Sequence, residues 1–164
     1  MNRLFLLALL VALSVESALA LDANFVEGKA KTSIALGTAD LVSVSVGTIQ
    51  PPNGYAYAKA YMWGGDETSP PKRIITSITV LGNGQPMFVP LSAYADLGSP
   101  RRISLERLPE RGFRLIVHGG DAAGSYTAML DFNGNEISRR KVVSGEFPQA
   151  TVFVVKLFWG SIGY

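Results

Sequence analysis

FRLIVHGGDAAGSYTAMLDF, residues 113–132, is the stretch whose reading decides the fold. In its first arm Phe113, Leu115 and Val117 fall on one side, and Arg114, Ile116 and His118 on the other. In its second arm Tyr126, Ala128, Leu130 and Phe132 oppose Ser125, Thr127, Met129 and Asp131. Alternation of period two marks a half-buried strand, because successive side chains leave opposite faces of a pleated backbone. Between the arms, Gly119 to Ala123, or to Gly124, is suited to close an antiparallel pair. Glycine reaches positive φ there, and Asp121 is expected to cap the turn through its own backbone.

The same period runs outward in both directions. LVSVSVGTI (41–49) sets Val42, Val44 and Val46 against Ser43 and Ser45. YAYAKAYMW (55–63) gathers Tyr55, Tyr57, Lys59, Tyr61 and Trp63 on one face, with Ala56, Ala58 and Ala60 on the other. Alanine forms strands poorly, so that face is expected to lie against something close. RIITSITVL (73–81) and PMFVPL (86–91) flank GNGQ, a hairpin turn; RISLERL (102–108), EISRRKVV (136–143) and TVFVVKLFW (151–159) complete the set. In EISRRKVV, strict alternation puts Ile137, Arg139 and Lys141 on one face. TVFVVKLFW is apolar on both faces, which predicts a central strand.

Asn-Gly occurs at Asn53-Gly54, Asn83-Gly84 and Asn133-Gly134, and both residue types tolerate the positive φ of tight hairpins. One helical turn is expected at SAYADLG (92–98), with Ser92 as N-cap and Gly98 as the left-handed stop. Residues 21–30 lack a clear pattern and read as a loose arm or an edge strand. Gly-Gly-Asp occurs twice after an apolar run, at Gly64-Gly65-Asp66 and Gly119-Gly120-Asp121, a repetition short enough for coincidence. About eight or nine short strands with regular turns predict an all-β fold: a single antiparallel β-sandwich, Ig-like or jelly-roll-like.

Residues 1–20, MNRLFLLALLVALSVESALA, place Arg3 ahead of an apolar run and end in Ala18-Leu19-Ala20, small residues at the positions a signal peptidase reads. The run is well short of the ~20 residues a spanning helix needs. A signal peptide cleaved after Ala20 and one all-β domain over 21–164 are therefore expected, with no transmembrane helix in the mature chain. The chain has no cysteine, so packing alone must hold it together. Export without cysteine or an Asn-x-Ser/Thr sequon fits a periplasmic or secreted bacterial protein.

A net charge of +2 is too mild to argue for nucleic acid. The basic surplus is local: residues 101–114, RRISLERLPERGFR, hold five arginines against Glu106 and Glu110. Their alternation with Ile103, Leu105 and Leu108 reads as a solvated strand and turn, or as a docking surface for an anionic partner.

Catalytic readings of residues 118–126 lack parts. A phosphate cradle needs Lys-Ser/Thr after the last glycine, and a Rossmann fingerprint needs different spacing. Ser125 with His118 as base and Asp121 as orienter would need a strained elbow, and no Gly-x-Ser-x-Gly is present. The single histidine and missing cysteines exclude the usual zinc sets from this chain alone. Asp66, Glu67, Asp121 and Asp131 are scattered, leaving open only a Ca²⁺ site assembled across loops. Paired carboxylates for glycoside hydrolysis are not singled out.

The expectation is thus a non-catalytic envelope protein without cofactor that binds another envelope or secreted macromolecule: protein- or glycan-binding, inhibitor-type, immunity-type or structural. Alternatives are a small outer-membrane β-barrel, suggested by the aromatic C-terminal residue, and a hydrolase with a site near His118. The expected contact surface comprises Tyr55, Tyr57, Tyr61, Trp63, Asp66, Arg101, Arg102, Arg107, Arg111, His118 and Asp121. The aromatic row has a competing reading as a core face.

Overall fold

A computed structural model describes residues 21–56, 62–65 and 70–149, together with the backbone of 151–156. Within these, ten strands follow one another: β1 (Leu21–Asn24), β2 (Lys29–Ala35), β3 (Leu41–Ile49), β4 (Ile74–Gly82), β5 (Gln85–Met87), β6 (Pro100–Arg107), β7 (Phe113–Gly119), β8 (Tyr126–Asn133), β9 (Glu136–Ser144) and β10 (Thr151–Lys156). They form two antiparallel sheets, ordered β1-β6-β7-β8-β9-β10 and β2-β3-β4-β5. The all-β sandwich is therefore present, and its two separate sheets do not close into the single ring that the barrel alternative requires. Within each sheet, adjacent strands are chain neighbours apart from β1 beside β6, a simpler connectivity than the Greek keys of immunoglobulin or jelly-roll sandwiches.

The core lies between the sheets, where the period-two pattern puts it. Burial alternates residue by residue along β3, with Val42, Val44 and Val46 inside. Ile75, Ile78 and Val80 join them from β4; Ile103, Leu105, Leu115, Val117, Ala128 and Leu130 face them from β6, β7 and β8. Phe113 and Phe132 are cross-strand partners whose rings stack at 4.5 Å and 8°. Such pairs are the unit of sheet stabilisation.

The hairpin of 113–132 forms, with its loop displaced by one residue from the expected 119–124. Gly119 pairs with Tyr126 as the last rung, leaving residues 120–125 as the loop. Asp121 makes no side-chain cap; the turn closes through backbone instead, the Gly124 N–H donating to the Asp121 carbonyl at 2.8 Å. Asn83 (φ 51°) and Gly84 (φ 80°) form the two-residue turn between β4 and β5. At the β8–β9 turn Asn133 is instead the last paired residue, opposite Glu136, so Gly134 (φ 61°) and Asn135 make the turn.

Four further expectations need correction. The helical turn is a 3-10 turn at Leu91–Ala93 with Pro90 at its N-cap and no side-chain cap. The left-handed residue is Ser99 (φ 46°), not Gly98. In β9, Ile137 pairs with Phe132 while Arg139 pairs with Asp131, so Ser138 is the extra residue of a bulge. The bulge turns Ile137 into the core, away from the face of Arg139 and Lys141. Among the described residues β10 pairs with β9 alone and stands at the end of its sheet, because β8 already occupies the other side of β9. In residues 21–30, β1 forms an edge strand on β6 and Lys29 opens β2. Of the strand expected at 55–63, residues 57–61 lie outside the described residues.

Candidate functional site

At one end of the sandwich the hairpin loop 120–125 meets residues 62–65 and the crossover 96–99. Trp63 and Leu97 form a parallel bridge: the Trp63 N–H donates to the Asp96 carbonyl (2.7 Å), and the Gly98 N–H to the Trp63 carbonyl (2.6 Å). The Ser99 N–H donates to the Arg73 carbonyl at the entry to β4 (2.7 Å), and the Gly120 N–H to the Ser99 carbonyl (3.0 Å). The Tyr126 hydroxyl donates to the Gly98 carbonyl at 2.9 Å. The crossover therefore braces both sheets and both Gly-Gly loops.

Buried groups hold this brace from beneath. Arg140 points into the core face of the six-stranded sheet, its Nε donating to the Ala93 carbonyl (3.0 Å). One of its terminal nitrogens reaches both Asp96 carboxylate oxygens at 2.5 and 2.6 Å. A buried guanidinium needs such pairing to offset its lost hydration. Burial, with the nearby Asp96 carboxylate, pushes the Tyr126 hydroxyl well above the ordinary tyrosine range, so it stays protonated as a donor. Its ring lies 6.2 Å from Trp63, tilted by 55°.

The second glycine pair explains itself here. Gly64 (φ +79°) is so close to the crossover that a Cβ would strike the Gly98 carbonyl oxygen and sit 3.2 Å from the Gly120 Cα. Gly120 (φ +67°) would bring a Cβ against the Gly124 carbonyl. The two Gly-Gly segments touch.

Outside the brace lies a groove of about 260 Å³ over Pro100. Lys72, Arg73, Ser99, Arg101, Gly120 and Asp121 line it. Ser99 positions its entry, its hydroxyl accepting the Lys72 N–H at 3.0 Å. Arg73 is held by Thr48, through Nε to the hydroxyl (2.7 Å) and a terminal nitrogen to the carbonyl (3.2 Å). Arg101 is the extra residue of a second bulge, since Pro100 pairs with Gly119 and Arg102 with His118. Bulges redirect side chains at strand ends. Asp121 faces Lys72, with Nζ to carboxylate 3.6 Å and both groups exposed.

Of the expected contact residues, Arg101 and Asp121 come together in this groove. Arg102 leaves on the outer sheet face, where it pairs with Asp22 at 3.1 Å. Arg107 is exposed at the far end of β6, and Arg111 (φ 62°) lies beyond it in the β6–β7 turn. The arginine segment is thus split between the two ends of β6, about 25 Å apart at the usual rise per residue, and is not one surface. Tyr55 is half-buried beside a turn, its N–H donating to the Pro52 carbonyl. Trp63 is partly buried against the core, the packing alternative for that residue. Tyr57, Tyr61 and Asp66 lie outside the described residues.

His118 Nδ1 is 3.1 Å from the Thr127 hydroxyl on the neighbouring strand. Burial, then the Arg102 guanidinium, lowers its pKa below the ordinary 6.5. Neither Asp121, which faces Lys72, nor Ser125, whose side chain packs on Gly145, hydrogen-bonds to it. On the same face Asp131 holds Arg114 by two hydrogen bonds of 2.6 and 3.0 Å, which raises the guanidinium pKa further. Among the described residues no group of three or more His, Asp or Glu side chains is arranged to hold a metal ion. Nor is any helix among them long and apolar enough to cross a membrane.

Sequence reasoning missed Lys72, Arg73, Ser99, Asp96 and Arg140. Pro-Pro-Lys-Arg (70–73), directly after the loop of the first Gly-Gly-Asp, was a usable signal for Lys72 and Arg73. Comparison with known proteins adds no relative: no family model, curated protein or solved structure matches the chain.

Proposed function

We propose that the chain is an exported, non-catalytic protein of the bacterial envelope that binds another macromolecule through the braced end of its sandwich. Export is supported by the sequence of residues 1–20 and by a cysteine-free chain that needs no disulfide. The observation that carries the binding reading is the loop end itself. A cationic groove there sits on a base fixed by buried hydrogen bonds and the Arg140–Asp96 pair. Binding residues are commonly carried on loops positioned by a rigid scaffold. His118, the strongest catalytic candidate, is engaged with Thr127 on the outer face of β7 and β8. The test is capture from envelope extract by the protein beginning at Leu21, followed by crosslinking to map the contact. Crosslinks at 72–73, 99–101 and 120–121 are expected. A captured partner mapped to the far turn around Arg111 would overturn this assignment of the surface.

A further inference from the structure

The groove at the braced end can be read for what it accepts. Its cations outnumber its acids, with Lys72, Arg73 and Arg101 against Asp121. Arg73 is a fixed charge, tied to Thr48. The Arg101 side chain makes no hydrogen bond or ion pair among the described residues, and the β6 bulge turns it out of the ladder. Asp121 already occupies Lys72, in an exposed pair at 3.6 Å. A charge pair of that kind is weak and easily exchanged.

Size and donor chemistry narrow the ligand. At about 260 Å³ the groove is smaller than the roughly 300–1,000 Å³ of sites that enclose a whole small molecule. It suits a single side chain of a partner. Phosphate sites are typically built from several backbone N–H groups aimed at one point. Here the lining N–H groups of Lys72, Ser99 and Gly120 are spent on the Ser99 hydroxyl, the Arg73 carbonyl and the Ser99 carbonyl. What the groove presents is charge on side chains above the buried Pro100.

We propose that this groove receives one acidic side chain of a protein partner, whose carboxylate takes the place of Asp121 beside Lys72 and pairs with Arg101. Asp121 is then a placeholder that keeps Lys72 neutralised until the partner's carboxylate arrives. This rests on the reading of the braced end as a binding surface, but it is tested without any captured partner.

The experiment titrates the purified protein with a glutamate-rich peptide and, in parallel, its glutamine counterpart and inorganic phosphate, following backbone amide shifts by NMR. Shifts centred on 99–101 and 120–121 are expected with the glutamate peptide only, weakening steeply with salt. Arg101→Glu and Lys72→Glu should each weaken binding by roughly tenfold. Asp121→Asn should tighten it by about two- to fivefold, the scale of releasing an exposed ion pair. Both cationic positions are exposed, so thermal melts of the variants should overlay the parent's. Phosphate shifting the same amides as strongly as the peptide would overturn the proposal, as would weaker binding by Asp121→Asn. If the peptide leaves the groove untouched while a partner is still captured from extract, the groove assignment fails and the broader binding reading stands.

Discussion

Two Arg-Arg pairs lie in the same sheet, at residues 101–102 and 139–140, and a bulge adjoins each. In β6 the bulged residue is Arg101 itself, which leaves the ladder for the groove while Arg102 pairs with Asp22 on the outer face. In β9 the bulged residue is Ser138, and the shift sends Arg139 outward beside Asp131 and Arg140 into the core. The same dipeptide thus supplies a surface charge in one place and a buried brace in the other. Register, and not residue type, decides which. A slip of one residue moves a side chain to the opposite face of a sheet.

Removing each arginine should therefore have very different consequences. Arg140→Ala leaves Asp96 and the Ala93 carbonyl without their partner, and a loss of about 3–5 kcal/mol in urea unfolding is expected. The double variant Arg140→Met with Asp96→Leu should recover most of that loss, because an apolar replacement of a buried pair is often neutral. If Arg140→Ala unfolds at the parent's urea midpoint, the contrast between the two pairs collapses.

Tyr126→Phe sharpens the same side of the comparison. It removes the donor to the buried Gly98 carbonyl and should cost about 1–3 kcal/mol without changing the sheet, as read by far-UV circular dichroism and urea titration.

The outer face near Arg102 carries a smaller, pH-dependent effect. His118 is lowered below its ordinary 6.5 in the folded protein, so the unfolded chain takes up the proton more readily. Its contribution to stability is complete above that ordinary value and is lost as pH falls through the folded one. The thermal midpoint of the parent should drop faster on acidification than that of His118→Gln. Parallel curves would show that the ring contributes nothing. Least of all, Arg101→Ala should shift stability by no more than about 0.5 kcal/mol, since its side chain supports nothing in the fold.

The strands and their core faces followed from patterning alone wherever alternation was unbroken. Val42 to Val46, Phe113 to Val117 and Tyr126 to Phe132 each placed their own faces. The pattern failed at bulges, because one inserted residue reverses every later assignment and leaves no mark in composition. Ile137 is the clearest case. Local signals also missed the crossover: Gly98 looks like a helix stop, yet what uses it is a carbonyl-lined contact with Trp63 from a distant part of the chain. Half of the groove was legible, since Arg101 and Asp121 stand in conspicuous stretches. Lys72 and Arg73 reach it only through the pairing of Arg73 with Ser99, a contact made across the two sheets.

The crossover at 96–99 has a dynamic consequence. Its amides are tied at once to the Arg73 strand entry and the Trp63 segment, so neither sheet can peel away from this end alone. Hydrogen exchange at Gly98, Ser99 and Gly120 should then proceed only when the whole molecule opens, at the slowest rate in the protein. The binding surface proposed for this end would then meet a partner already in its final shape, with encounter limited by collision and long-range attraction instead of by rearrangement.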